Sequence, residues 1–115
     1  MVTHTSPVPD QGAYGFLCVD ETKGHEQSGK RPVFVISKKL VNARTGMMTC
    51  LPITTQSKGY SQEVILPGGL QITGALLLAH VRSFDFNARN FQVLGYAPED
   101  FTADVVSRFC AMLGR

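Results

Sequence analysis

Two short apolar runs, each joined to a polar loop, constrain this chain more than any other feature. The first, Pro32-Val33-Phe34-Val35-Ile36-Ser37, follows directly on a glycine-bracketed loop, Lys23-Gly24-His25-Glu26-Gln27-Ser28-Gly29-Lys30-Arg31. The second, Met47-Met48-Thr49-Cys50-Leu51-Pro52-Ile53, leads into Thr54-Thr55-Gln56-Ser57-Lys58-Gly59-Tyr60. Short apolar runs bounded by glycine and polar residues read as buried strands. Such strands hold the polar residues at their ends in place. Here those residues supply a carboxylate, an amide, cations and a pair of hydroxyls, an inventory for gripping and breaking a phosphodiester.

Further strands are expected at Phe16–Val19, at Glu63–Leu66 before Pro67-Gly68-Gly69, at Gly74–Val81 and at Phe91–Gly95. Gly15 weakens the first of these, since glycine in a strand interior has no side chain to pack. A turn marked by Asn42 and Gly46 separates the two central strands. Pro98-Glu99-Asp100 starts a helix, with proline in the first turn and carboxylates near the positive end of the dipole. Phe101, Val105, Phe109, Met112 and Leu113 recur at three- and four-residue steps and place an apolar face on the sheet; Gly114 stops the helix. The fold class is therefore mainly β with a C-terminal helix, a small barrel or sandwich of short strands.

At 115 residues and 43% hydrophobic, the chain suits one domain over residues 1–115, with residues 1–11 as a loosely held arm. No apolar run approaches the ~20 residues of a membrane helix and no signal segment opens the chain, so a cytoplasmic protein without a membrane partner is expected. Cys18, Cys50 and Cys110 are widely spaced among apolar neighbours and read as core thiols. Neither they nor His4, His25 and His80 have metal-ligand spacing, so no metal or cofactor is expected. The net charge of +2 proves no nucleic-acid partner, but Lys23, Lys30, Arg31, Lys38, Lys39, Arg44 and Lys58 all fall in the first half of the chain.

Cleaving RNA without a metal uses the ribose 2′-hydroxyl against its own adjacent phosphate. The protein must remove one proton, deliver another to the leaving 5′-oxygen, and stabilise charge at phosphorus. Arg31 suits the last task, because its planar fork holds two phosphate oxygens and it is always charged. Glu26 is a base or an orienting group for Arg31, and Thr54 and Thr55 offer hydroxyls to a phosphate oxygen. Gly24 and Gly29 let the loop approach a backbone closely.

The segment TKGHEQSGKRP, its following strand and NARTGMMTCLPITTQSKGY together resemble the MazF/PemK family of toxin endoribonucleases. A more diluted resemblance runs through GALLLAHVRSFDFNAR to the C-terminus. The resemblance implies an SH3-like barrel of antiparallel twisted strands with a C-terminal helix. It also implies a homodimer and a cognate antitoxin that threads a flexible acidic tail over the RNA-binding surface. It assigns Glu26, Arg31 and Thr54 to catalysis, and Lys23, Gln27, Lys30, Thr55, Gln56 and Lys58 to RNA contact. The implied activity is sequence-specific, metal-independent cleavage of single-stranded RNA or mRNA to 2′,3′-cyclic phosphate and 5′-hydroxyl ends.

The chain departs from that family in two places. Ala13 and Cys18 replace usual acids in the first strand. Leu78-Ala79-His80-Val81 stands where relatives commonly have Ala-Asp-Gln-Val, and Leu77 and Ala79 replace the arginine and aspartate catalytic in the Kid/PemK branch. An imidazole at His80 could take over proton traffic lost with the aspartate at Ala79, but strand alternation puts His80 on the face opposite Ala79, which predicts a structural histidine and an active His80→Gln protein. Two other functions fit the fold: a non-catalytic RNA- or protein-binding homologue, and a gyrase poison of the CcdB type. The latter depends on a tryptophan near the end of the last helix, and this chain has no tryptophan.

Overall fold

The computed structural model describes residues 7–18, 29–57, 59 and 62–115. In chain order its elements are β1 (Ala13–Cys18), β2 (Lys30–Val35), α1 (Lys39–Thr45), β3 (Met47–Thr54), β4 (Glu63–Ile65), β5 (Ala75–Leu77), a 3-10 turn (Leu78–His80), β6 (Arg82–Asp85), β7 (Gln92–Tyr96) and α2 (Glu99–Met112). All strand pairings are antiparallel, in the order β4-β5-β3-β2-β1-β7, with β6 also paired to β3. The expectation of an antiparallel β fold with a C-terminal helix is met. Among the described residues the sheet runs as an open path from β4 to β7 rather than a closed ring.

Period-2 alternation sends the central strands' side chains into two cores. On one face Tyr14, Phe34, Leu51, Ile53, Leu76 and Val105 are buried together, with Phe101 and Phe109 of α2 packed against them. Phe101 meets Phe34 edge to face, with ring centroids 5.9 Å apart. Full burial of a side chain such as Phe34 contributes about 1.5–3 kcal/mol, so this face is what holds α2 to the sheet. On the other face Ala13, Leu17, Val33, Val35, Met48 and Cys50 pack with Phe86 and Phe91.

β3 is the longest strand, and one of its edges serves two partners. β5 pairs Leu76 with Ile53 and Ala75 with Thr54, whereas β6 pairs Arg82 with Cys50. Between these pairings β3 steps three residues, from Ile53 to Cys50, while the partner chain steps six, from Leu76 to Arg82. The surplus three are the 3-10 turn, Leu78–His80. Pro52 falls in the gap and has no N–H to offer a neighbouring strand. The Leu78 N–H donates to the Gln62 carbonyl at 3.0 Å and its side chain is buried, so the turn is anchored at its first residue. The sequence reading of one strand over Gly74–Val81 is thereby corrected: that span holds β5 and the turn, and β6 after it was not expected.

Other departures have specific causes. Lys39–Thr45 is helical where a turn was expected, because its support is tertiary: Asn42 is its only buried residue, while Leu40 and Val41 are exposed. The Asn42 amide donates to the carbonyls of Pro9 (2.9 Å) and Ser37 (3.2 Å), and Asp10 Oδ1 accepts the Lys39 N–H at 2.9 Å. Those bonds also hold Pro9 and Asp10, and Gln11 donates to the Ile36 carbonyl, so the described end of the expected arm is tied to the fold. Gly15 is not a weak point of its strand. It sits at a register shift where a Cβ would collide with the Gln92 carbonyl, so β7 can approach only a glycine. Cys50 is buried, but Cys18 and Cys110 are half-buried rather than core thiols. Val19, expected at the end of the first strand, lies outside the described residues. No helix among the described residues is long and apolar enough to cross a membrane.

Candidate active site

A cleft of about 460 Å³ opens on the face carrying the second core, lined by residues from several strands. Its floor follows the ladder. Leu17 on β1 pairs with Arg31 on β2, Val33 pairs with Pro52 on β3, and Arg82 on β6 pairs with Cys50. Phe84 follows two residues after Arg82 and so shares its face. Arg89, from the turn after β6, and His80, from the 3-10 turn, complete the wall.

Among the described lining residues are three arginines and one histidine but no carboxylate. Arg108–Asp104 on α2, at 3.0 Å, is the only ion pair among the described residues, so none of the cleft arginines is neutralised by one there. Phe84 orders two of them: the guanidinium carbons of Arg82 and Arg89 lie 4.8 and 5.7 Å from its ring centroid. Cation–π contacts of this kind contribute about 0.5–1 kcal/mol at exposed sites, enough to bias the side chains without fixing them. Arg89 is fixed further by the backbone. Asp85 Oδ1 accepts the N–H groups of Asn87 and Ala88, the Arg89 N–H donates to the Asp85 carbonyl, and the Cys18 N–H donates to the Arg89 carbonyl. Burial pushes the Cys50 thiol up to about 12, so at neutral pH the cleft floor is an uncharged thiol.

The predicted site residues separate into groups. Arg31 is exposed and lines the cleft. The β2–β3 pairing ends at Val33–Pro52, so Arg31 and Thr54 each lie two residues beyond its last pair. Thr54 Oγ1 accepts the Gln56 N–H at 3.0 Å, which fixes the strand exit. Gly74 adjoins the Thr54 partner Ala75 at φ +140, where a Cβ would strike the Thr54 carbonyl. Thr55 and Gln56 are exposed just beyond, and Lys30, paired with Cys18, faces away from Arg31. Glu26, Lys23, Gln27 and Lys58 lie outside the described residues.

Arg82, Phe84 and Arg89 were not among the sequence candidates, and His80 was weighed for proton transfer but read as structural. The alternation used for His80 fails because a 3-10 turn repeats every three residues rather than two, so His80 lines the cleft with Arg31. For Arg82 and Phe84 a signal was available: an arginine and an aromatic two residues apart occupy one face of a strand.

Residues 16–113 match the family described as PemK-like, MazF-like toxins of type II toxin–antitoxin systems. The chain belongs to this family. It is 45% identical over 94 residues to the endoribonuclease toxin MazF of Escherichia coli (strain K12), covering 81% of this chain and 84% of that protein. It is 29% identical over 110 residues to the endoribonuclease PemK of Escherichia coli, covering 90% and 81% respectively. A crystal structure of MazE–MazF from Deinococcus radiodurans, 39% identical, superposes over 95% of this chain and 98% of that one with a TM-score of 0.85.

Proposed function

We propose that this MazF/PemK-family chain is a sequence-specific, metal-independent endoribonuclease toxin that cuts single-stranded RNA, including mRNA. Membership of the family makes the chain an endoribonuclease. The finer reading rests on one observation: the cleft beside Arg31 gathers three arginines and, among the described residues, no carboxylate. Such a cleft concentrates phosphate, and fixed guanidinium charge takes the place a divalent cation would have at the reacting centre.

In this mechanism Arg31 holds the phosphate oxygens and stabilises the charge that grows on phosphorus. The Thr54 hydroxyl, at the end of β3, helps orient the same group. Glu26, assigned from the sequence alone, removes the 2′-hydroxyl proton. The 2′-oxygen attacks phosphorus as the bond to the 5′-oxygen breaks, leaving 2′,3′-cyclic phosphate and 5′-hydroxyl ends. Arg82 and Arg89 hold flanking phosphates, with the Phe84 ring ordering their guanidinium groups. Cutting mRNA in the cytoplasm stops translation and growth. The protein acts as a homodimer, and its antitoxin lays an acidic tail over the cationic cleft.

The test is incubation with a long RNA in the presence of a chelator. Discrete cuts with cyclic phosphate and 5′-hydroxyl ends are expected. Intact RNA, or cuts that need added magnesium, would overturn the reading.

A further inference from the structure

We propose that His80 is the general acid of this reaction, delivering the proton that lets the 5′-oxygen leave. The inference rests on the ribonuclease reading above. Cleavage places charge on two oxygens, and each needs a proton partner of its own. Among the described residues lining the cleft, the groups that carry a transferable proton or charge are Arg31, Cys50, His80, Arg82 and Arg89. The arginines stay protonated throughout any useful pH range. The Cys50 thiol is pushed up to about 12 by burial and is a poor acid. Of these described residues His80 is left, and imidazole is a side chain suited to proton transfer near neutral pH.

Position agrees with that role. Arg31 stands on β2, along one edge of β3, and His80 stands on the 3-10 turn along the other edge. Both side chains line the one cleft, with Pro52 of β3 between them. A long guanidinium and an imidazole reaching inward over Pro52 then meet one phosphodiester from opposite sides. The buried Leu78 and its bond to Gln62 fix the turn, so His80 is carried on a rigid support although its own side chain is exposed.

The step balances as follows. The 2′-oxygen forms its bond to phosphorus after giving its proton to the carboxylate proposed above. The bond from phosphorus to the 5′-oxygen breaks, and its electron pair goes to that oxygen. The imidazolium of His80 gives its proton to the same oxygen and becomes neutral, then regains a proton from water. Arg31, Arg82 and Arg89 stay charged around it, and Cys50 stays a thiol.

The test compares two synthetic RNAs spanning one mapped cut, one natural and one with sulfur replacing the bridging 5′-oxygen. A thiolate leaves without a proton. His80→Gln and His80→Ala should cut the natural RNA slower by about 10²–10⁴-fold, the usual loss for a missing acid or base, yet cut the sulfur RNA within a few-fold of wild type. In the unaltered protein, kcat/KM on natural RNA should fall at alkaline pH, and that fall should vanish with the sulfur RNA, whose leaving group needs no acid. This second measurement stands even where a variant fails to fold. An equal loss on both RNAs, no loss on either, or the same alkaline limb with both would overturn the assignment. A wild-type protein that cuts neither RNA overturns the ribonuclease reading itself, and this role with it.

Discussion

Arg31 and His80 line the same cleft from opposite edges of β3, the arginine carried by β2 and the histidine by the turn between β5 and β6. Between them lies Pro52, paired with Val33 and without an N–H of its own. The sheet thus sets an arginine on one side of the cleft and a histidine on the other, over an apolar floor.

Arg31→Ala should abolish cleavage while leaving the fold intact, because the side chain is exposed at the start of a strand. Loss of such charge stabilisation costs about 3 kcal/mol, on the order of a hundredfold in rate. Thr54→Ala should be impaired less. Single-turnover rates alongside circular dichroism check both; an Arg31→Ala protein within a few-fold of wild type would remove the assignment.

RNA affinity should fall with salt at a log–log slope of about −0.7 for each phosphate neutralised. Arg82→Ala and Arg89→Ala should each flatten that slope by about the same increment. Fluorescence anisotropy of a labelled RNA at several salt concentrations decides it, and a slope unchanged in both variants would place the phosphates elsewhere.

On the proposed reading, inhibition by an acidic antitoxin tail should compete with RNA, since the arginines of the cleft attract either polyanion. Added tail peptide should raise the apparent KM without lowering kcat. A ternary complex that still cuts would contradict this. Light scattering at micromolar concentration should show a dimer.

Gly15→Ala and Gly74→Ala should each destabilise the protein, because a Cβ at either site meets a backbone carbonyl that cannot move alone. Overpacking of this kind typically costs about 1–3 kcal/mol. Gly74→Ala should also lower cleavage, since the carbonyl it displaces belongs to Thr54. Thermal melts and cleavage rates separate the two effects.

Cys50 should stay unreactive toward thiol reagents in the folded protein while Cys18 and Cys110 react, being half-buried. Its folded value of about 12 lies above the ordinary 9.0. Above about pH 9 the unfolded chain therefore loses a proton that the folded chain keeps. The stability from a neutral Cys50 is complete below that pH and disappears as pH rises toward 12. Denaturant melts of wild type and Cys50→Ala should diverge in that window and run parallel below it. Parallel curves throughout would show that burial does not hold the thiol neutral.

What the sequence determined by itself was local and periodic. The apolar run before Ser37 and the run after Gly46 placed the two central strands, and with them Arg31 and Thr54, because a strand needs little beyond alternating burial. The steps from Phe101 to Phe109 placed α2 for the same reason. Glu26 and its neighbours were legible only as a motif. The tertiary structure decided what depends on pairing between distant segments. α1 has no apolar face to read and exists because Asn42 and Asp10 bind across the fold. Gly15 read as a defect until β7 lay against it. His80 read as the outward residue of a strand because the three-residue turn that redirects it comes from a mismatch between the β5 and β6 registers on β3. Register is a relation between strands, and no single run of sequence contains it.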